Sequence, residues 1–165
     1  HGRTVKDMYH SSVKYDLIAE AVKRVHCPVL ANGNIHSATK ALEVLSQTGA
    51  AGVMVGRWAV GNPWIFHQIR QAWRGEPITP VPLVEVRNYI DRLWQTPYSA
   101  SMPMRSRVGY LKMFLNYIAL NVDAEGDFLR LMRQTQTEVE LLNLCDRVFL
   151  TDLTKNLALA PCLSL

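Results

Sequence analysis

The sequence predicts an α/β region followed by an all-α region, and three observations carry that expectation. Short apolar runs alternate with helical spacing up to Gly75, only helical spacing follows, and Glu76-Pro77-Ile78-Thr79-Pro80 between them has the composition of a linker. The expected domains are therefore 1–75 and 76–165. Taken in order, Asp16 to Val25 places Ile18, Ala21, Val22 and Val25 on one helical face, and Pro28-Val29-Leu30-Ala31 after it reads as a short buried strand ending in Asn32-Gly33-Asn34. Ser37 can cap a second helix carrying Ala38, Ala41, Leu42 and Leu45, with Gly49 as its stop. The strand Ala51 to Val55 follows and closes on Gly56-Arg57. Asn62-Pro63 then supplies an N-cap and a first-turn proline for a helix that turns Phe66, Ile69 and Trp73 inward. Strands and helices in such alternation imply parallel βα units, in an open doubly wound sheet or a (β/α)8 barrel.

Past the linker, Pro82 opens a helix with Leu83, Val86, Ile90 and Leu93 on one stripe. A second carries Met104, Val108, Leu111, Leu115 and Ile118, and a third carries Phe128, Met132, Val139 and Leu142. Their stripes can be buried against one another as a small bundle.

Composition narrows the class. With 165 residues, 48% hydrophobic and 19% charged, the chain lies with globular domains and away from disordered, collagenous or disulfide-scaffold proteins. Burial scales with size, so such a chain can hide roughly two-thirds of its unfolded surface without a staple. No apolar run reaches the ~18 residues a membrane helix needs, and HGRTVKDMYH is too polar for a signal peptide, which makes a soluble, cytoplasmic protein the expectation. Cys27, Cys145 and Cys162 are far apart and form no CxxC, so neither a zinc site nor a disulfide framework is supported; reduced thiols are expected, two of them in the core.

The formal charge of +4 is unevenly spread. Residues 1–75 hold 9 Lys and Arg against 4 Asp and Glu, a balance of +5, and the remainder 9 against 10, a balance of −1. Within that second part the stretch from Arg92 to Val122 contains Arg92, Arg105, Arg107 and Lys112 and no acid. Arg105 and Lys112, seven apart, fall on nearly one line of a helix and are expected to face outward as a positive ridge suited to a polyanion; a plain solvated face is the competing reading.

Functional groups of a parallel βα fold gather at the C-terminal ends of its strands. Asn32-Gly33-Asn34 and Gly56-Arg57 both follow a strand and precede a helix. Their glycines allow close backbone approach, and helix N-termini with Arg57 attract negative charge, so a phosphate is the natural guest. The alternative is that both glycines make tight turns. His1-Gly2-Arg3-Thr4 is a further polar cluster able to hold an anion, although its residue types alone suit a surface loop equally well. Trp58, Trp64 and Trp73 read as packing groups, and His26, His36 and His67 as solvated or satisfied histidines.

HGRT at 1–4, PVLANGNI at 28–35 and GVMVGRWAVGNPWIF at 52–66, followed by a helical tail in which RVGYLKMFLNYI spans 107–118, together resemble the tRNA-dihydrouridine synthase family. The resemblance implies the C-terminal portion of a (β/α)8 TIM barrel that carries FMN, followed by a helical domain that grips tRNA. It implies that His1 contacts the flavin, that Asn32, Gly33 and Asn34 surround the FMN phosphate region, and that Gly56 and Arg57 hold the phosphate. Arg3 and Thr4 would line the uridine approach, and Arg105, Arg107 and Lys112 would meet the tRNA, Lys112 matching a position of the family's basic helix. The implied reaction is NADPH-driven reduction of tRNA uridine to dihydrouridine by a flavoprotein that is a monomer when intact and needs no metal.

The departures also set expectations. A full barrel needs about 250 residues, and only the first 75 here are βα, so about the last third of one is expected and the chain reads as truncated. The family's cysteine, in an Asn-x-x-Gly-Cys-Pro loop, matches neither Cys27 nor Cys162, so this chain alone is expected to be inactive. Asn34 stands where relatives commonly carry an acid. Another FMN barrel oxidoreductase and a non-catalytic RNA-binding remnant are the alternatives; the long helical tail separates the first of these from the family, since such enzymes usually end soon after their last barrel helix.

Overall fold

A computed structural model describes residues 1–4, 11–123, 125–151 and 156–157. Among them the chain is mostly helical with two small sheets, and no helix is long and apolar enough to cross a membrane. It divides into two compact units, one running from His1 to Thr79 and the other beginning at Pro80. The expected boundary lay at Gly75. The first unit runs further because Thr79 is tied back to the preceding helix: its N–H donates to Gln71 Oε1 at 3.1 Å and its hydroxyl accepts from Gln71 Nε2 at 2.7 Å.

In the first unit, α1 (Tyr15–Arg24) buries Tyr15 and Ile18. Strand β1 (Leu30–Asn32) pairs in parallel with β2 (Gly52–Met54), Ala31 lying opposite Val53. Both strands are shorter than the apolar runs that announce them. Between them α2 (Ala38–Thr48) begins where Ser37 Oγ accepts the Lys40 N–H and ends where Gly49, at φ 66°, returns its N–H to the Leu45 carbonyl. Ala41 and Val44 of α2 join Tyr15, Ile18, Ala31 and Ile35 in one small core.

After β2 the chain departs from expectation. A four-residue helix, α3 (Trp58–Gly61), intervenes, and Asn62 closes it instead of capping the next, α4 (Ile65–Trp73). The Asn62 side chain is buried and donates through Nδ2 to Gln68 Oε1 at 2.9 Å. That bond lets a glutamine occupy the inward face with Ile65, and Ile69 packs beside it. Phe66 is exposed and Trp73 is 68% exposed, against the expectation that both turn inward.

In the second unit Pro82 precedes α5 (Leu83–Trp94), which buries Leu83, Val86, Ile90 and Trp94. Arg87 is buried among them, paired with Asp91 one turn on and with Asp146 at 2.6 Å. A short α6 (Pro97–Ala100) leads to α7 (Met104–Val122), whose Val108, Leu111, Leu115 and Ile118 are buried as expected, while Met104 at its first position is exposed. The expected third helix is two, α8 (Asp127–Gln134) and α9 (Glu138–Leu150). The break is a capping box: Thr137 Oγ1 accepts the Glu140 N–H, while Glu140 Oε2 accepts from Thr137 N–H and, at 2.7 Å, from Gln136 N–H. Restarting the helix shifts its phase, so Leu141, Leu144, Cys145 and Phe149 are buried and Val139 is exposed. Helix α9 packs on α5, α7 and α8. A two-residue antiparallel pair, β3 (Val81–Pro82) with β4 (Asn156–Leu157), completes this unit.

Candidate functional site

The C-terminal ends of β1 and β2 lie side by side because the strands are parallel and in register. Asn32, the last residue of β1, donates through Nδ2 to the Met54 carbonyl at 2.7 Å, a side-chain bond that holds the two ends level. Gly33 follows at φ 129°, and a Cβ there would lie 2.8 Å from both Val13 methyls. Only glycine fits. The Gly33 carbonyl accepts from Tyr15 OH at 2.6 Å. Burial pushes the Tyr15 phenol above its ordinary value, and Lys40, whose ammonium stands 5.4 Å from the ring centroid, pulls the other way. Asn34 then takes a left-handed conformation at φ 47°.

His1-Gly2-Arg3-Thr4 joins this loop. Gly2 is buried and its carbonyl accepts the Lys14 N–H at 3.0 Å; a Cβ on it would stand 2.5 Å from the Lys14 carbonyl oxygen. Arg3 Nε donates to the Ser11 carbonyl at 2.6 Å, and its Nη1 reaches Asn34 Oδ1 at 3.4 Å. His1 is exposed, its Nδ1 accepting the Arg3 N–H at 3.3 Å, and Thr4 is exposed. Two polar clusters more than thirty residues apart thus meet through one guanidinium.

The second strand end is more open. Within 4 Å of a Cβ built on Gly56 there is no atom, and Arg57 beside it is exposed. Trp58 turns back toward the first loop, its ring meeting His36 edge-on with centroids 5.6 Å apart. Burial, and then Lys40, hold the His36 imidazole below its ordinary value, so it is uncharged at neutral pH. Sequence reasoning passed over His36 and Trp58 as ordinary. The available signal was position, since His36 immediately precedes the Ser37 cap in the same loop as Asn34.

Open space at Gly56, an exposed arginine next to it in sequence and, after the adjacent strand, an asparagine in left-handed conformation are residue types that suit a phosphate. The residues present therefore fit the phosphate end of FMN. Among the described residues no group of three or more His, Cys, Asp and Glu could hold a metal ion. Cys27 is exposed in the turn before β1, at the far end of the strand from the site. Cys145 is buried in the second unit, and burial pushes its thiol up to about 12. Cys162 lies outside the described residues.

Of the two residues expected to form a positive ridge, Arg105 faces solvent and Lys112 is engaged within the second unit. Arg105 is exposed on the first turn of α7. Arg107 folds onto the Trp94 ring, 3.8 Å from its centroid, and donates to the Trp94 carbonyl at 2.7 Å and to Ser99 Oγ at 3.2 Å. The Lys112 ammonium donates to the carbonyls of Arg133, at 3.2 Å, and Thr135, closing the corner between α8 and α9. The acid-free stretch of sequence is not acid-free in space. Glu140 lies near enough for Lys112 to help lower its carboxyl, behind the larger effects of the Gln136 and Thr137 N–H groups.

With this geometry in place, the chain can be set beside known proteins. The family model described as dihydrouridine synthase (Dus) matches residues 1–155. The tRNA-dihydrouridine synthase B of Pseudomonas aeruginosa is 43% identical over 91 residues, which cover 54% of this chain and 27% of that protein. Those of Klebsiella pneumoniae and Escherichia coli strain K12 are each 42% identical over 91 residues, covering 54% of this chain and 28% of theirs. The match thus spans a little over a quarter of these relatives' length. A family match over nearly all of the sequence means that this chain belongs to the dihydrouridine synthase family.

Proposed function

We propose that this chain is the C-terminal part of a tRNA-dihydrouridine synthase, a flavoprotein that reduces uridines of tRNA to dihydrouridine with NADPH as reductant. One observation carries the reading: within a chain of this family, Arg3, Asn32, Asn34 and Arg57 are gathered at the C-terminal ends of two adjacent parallel strands. In this reading β1 and β2 are the last two strands of a (β/α)8 barrel, and the helical unit from Pro80 onward is the part that grips tRNA. Bound there, FMN would supply the hydride for the 5,6 double bond of uracil.

The residues of this chain have distinct tasks in that reading. Arg57 and the open backbone at Gly56 take the FMN phosphate, supported by the Asn32-Gly33-Asn34 loop. Arg3 serves as a strut, because its bonds to the Ser11 carbonyl and to Asn34 set the distance between His1 and that loop. His1 and Thr4 are exposed beside it, where the flavin edge and the uridine approach belong. The proton for the uracil carbon comes from neither Cys27 nor Cys145. The first is at the opposite end of β1, and the second is buried elsewhere with its proton firmly held.

The test is a graft. Residues 1–155 replace the matching segment of the Pseudomonas aeruginosa relative, and the purified chimera is titrated with FMN and assayed for dihydrouridine in unmodified tRNA by mass spectrometry. Dihydrouridine is expected, and a folded, flavin-loaded chimera that makes none overturns the function. Arg57→Ala in the same chimera removes a charge-assisted phosphate contact of about 1.5–3 kcal/mol, so FMN affinity falls roughly ten- to a hundredfold. An unchanged dissociation constant removes Arg57 from the phosphate site.

A further inference from the structure

The second unit carries an aromatic ladder that none of the residues discussed so far explains. Tyr98, on the short α6, meets Tyr110 edge-to-face with centroids 5.5 Å apart and planes at 70°. Tyr110 meets Phe114 in the same way, at 5.0 Å and 73°. Tyr110 and Phe114 are four residues apart on α7, so they share a face of that helix. Tyr98 ends the ladder toward solvent and is 66% exposed. In an edge-to-face pair one ring offers its edge and the other a face, so whichever role Tyr98 plays, at least one face of its ring is left for another partner. Neither the Tyr98 nor the Tyr110 hydroxyl has a hydrogen-bond partner among the described residues.

The charge around the ladder is positive. Arg107 lies one turn before Tyr110, stacked on Trp94. Arg92, on the neighbouring α5, is exposed and, among the described residues, enters no ion pair. Residues 92–122 supply no carboxylate, and Asp91 next to them is turned to Arg87. A solvent-facing aromatic ring carried on a stretch that is basic in sequence is complementary to a nucleobase with its phosphate. Bases inside a duplex keep both faces stacked on their neighbours, whereas unpaired nucleotides offer an open face with a phosphate beside it.

We infer that the Tyr98–Tyr110–Phe114 ladder stacks an unpaired base of RNA, the basic stretch that carries it favouring the adjoining phosphate. The inference rests on the reading of this chain as part of a tRNA-modifying enzyme, and it names which surface of the helical unit meets the RNA and by which contact. It sets a stacking platform beside a ridge of two aligned charges, of which Lys112 is engaged inside the unit.

The experiment uses the 165-residue chain and a fluorescently labelled octauridylate, with an eight-base-pair RNA duplex as comparison, followed by anisotropy at fixed salt. The single strand is expected to bind more tightly than the duplex. Tyr98→Ala should weaken the single strand about 5- to 150-fold, the range for losing one base stack, and Tyr98→Phe should bind as the parent does. Far-UV circular dichroism of both variants shows that the helices persist. Equal affinity of the parent and Tyr98→Ala overturns the platform, as does a Tyr98→Phe variant as weak as the alanine one, or a parent chain that prefers the duplex. Each of those results leaves the dihydrouridine assay of the chimera untouched, so loss of the platform and loss of the enzymatic reading are separate outcomes.

Discussion

The two units use their polar side chains for different ends. In the first, Arg3, Asn32 and Tyr15 reach across to loop carbonyls and amides at the strand ends, so polar chemistry fixes the outline of a site. In the second, Arg87, Arg107 and Lys112 bond inward to carboxylates, a ring and helix-end carbonyls, so polar chemistry fixes helices to one another. Their cores differ in the same sense. Phe149, Leu111, Leu115, Ile118 and Met132 are fully buried in the second unit, whereas among the largest fully buried side chains the first contributes Ile65 and Val44. Leu30 and Met54, on the strands themselves, are 59% and 50% exposed, and a two-stranded sheet of this length is marginal by itself. Arg87, Arg107 and Lys112 are thus structural parts of the second unit, whereas the polar residues at the strand ends of the first are candidates for ligand contact.

The largest effect that would break this contrast is on packing. Phe149→Ala removes a buried ring and its edge contact with Phe128, and should destabilise the second unit by about 3–5 kcal/mol. Trp73→Ala, an equally drastic truncation at a surface position of the first unit, should change stability by less than about 0.5 kcal/mol. Hydrogen exchange read by mass spectrometry reports each unit separately, and similar losses from the two truncations would mean that the cores are equally closed.

A smaller effect sharpens the account of the strand ends. Gly33→Ala combines a backbone conformation alien to L side chains with a clash against Val13, and should cost about 1–3 kcal/mol. The expected mark is faster amide exchange over residues 31–36 with the second unit unaffected. Unchanged exchange there would show that the loop tolerates a side chain and does not depend on glycine.

The smallest concerns the corner between α8 and α9. The N–H groups of Gln136 and then Thr137 hold the Glu140 carboxyl below its ordinary value of 4.5. A depressed folded value means that the contribution is fully present above the unfolded value and lost as pH falls through the folded one. The Glu140 carboxyl carbon, followed by NMR, should titrate with a midpoint below 4.5, and the Gln136 and Thr137 amide shifts should follow it. In Glu140→Gln that pH dependence of the two amides should vanish; its persistence would assign it to another acid.

Much of the first unit was legible because its signals are local. Ser37 and Gly49 bracket α2 through contacts within one turn, and the apolar runs 28–31 and 51–55 contain most of β1 and β2. The inward face of α4 was not legible, since Gln68 can be buried only because Asn62 meets it, and a pairing of two amides leaves no mark on hydrophobic spacing. In the second unit Thr137 with Glu140 was a readable capping signal that the apolar stripe outweighed. The engagement of Arg107 and Lys112 lay beyond reach for another reason. Their partners lie from 8 to 23 residues away along the chain and are uncharged oxygens and a ring, so linear charge counting sees none of them.

The Asn32 side chain also governs how this molecule ages. Asparagine followed by glycine is the pair most prone to shed its side-chain amide as ammonia, because an unhindered glycine nitrogen can close on the carboxamide carbon, and such asparagines are among the heat-labile residues of proteins. Asn32-Gly33 is such a pair. In the folded chain the amide that would leave is engaged with the Met54 carbonyl, and Gly33 is held between Val13 and the Tyr15 hydroxyl, so neither group is at liberty to approach the other. The product would set a carboxylate oxygen against the Met54 carbonyl oxygen at the ends of the two strands. Chemical wear at this position is thus expected to be slower in the folded chain than in the unfolded one, with the bond that levels the strands as the restraint.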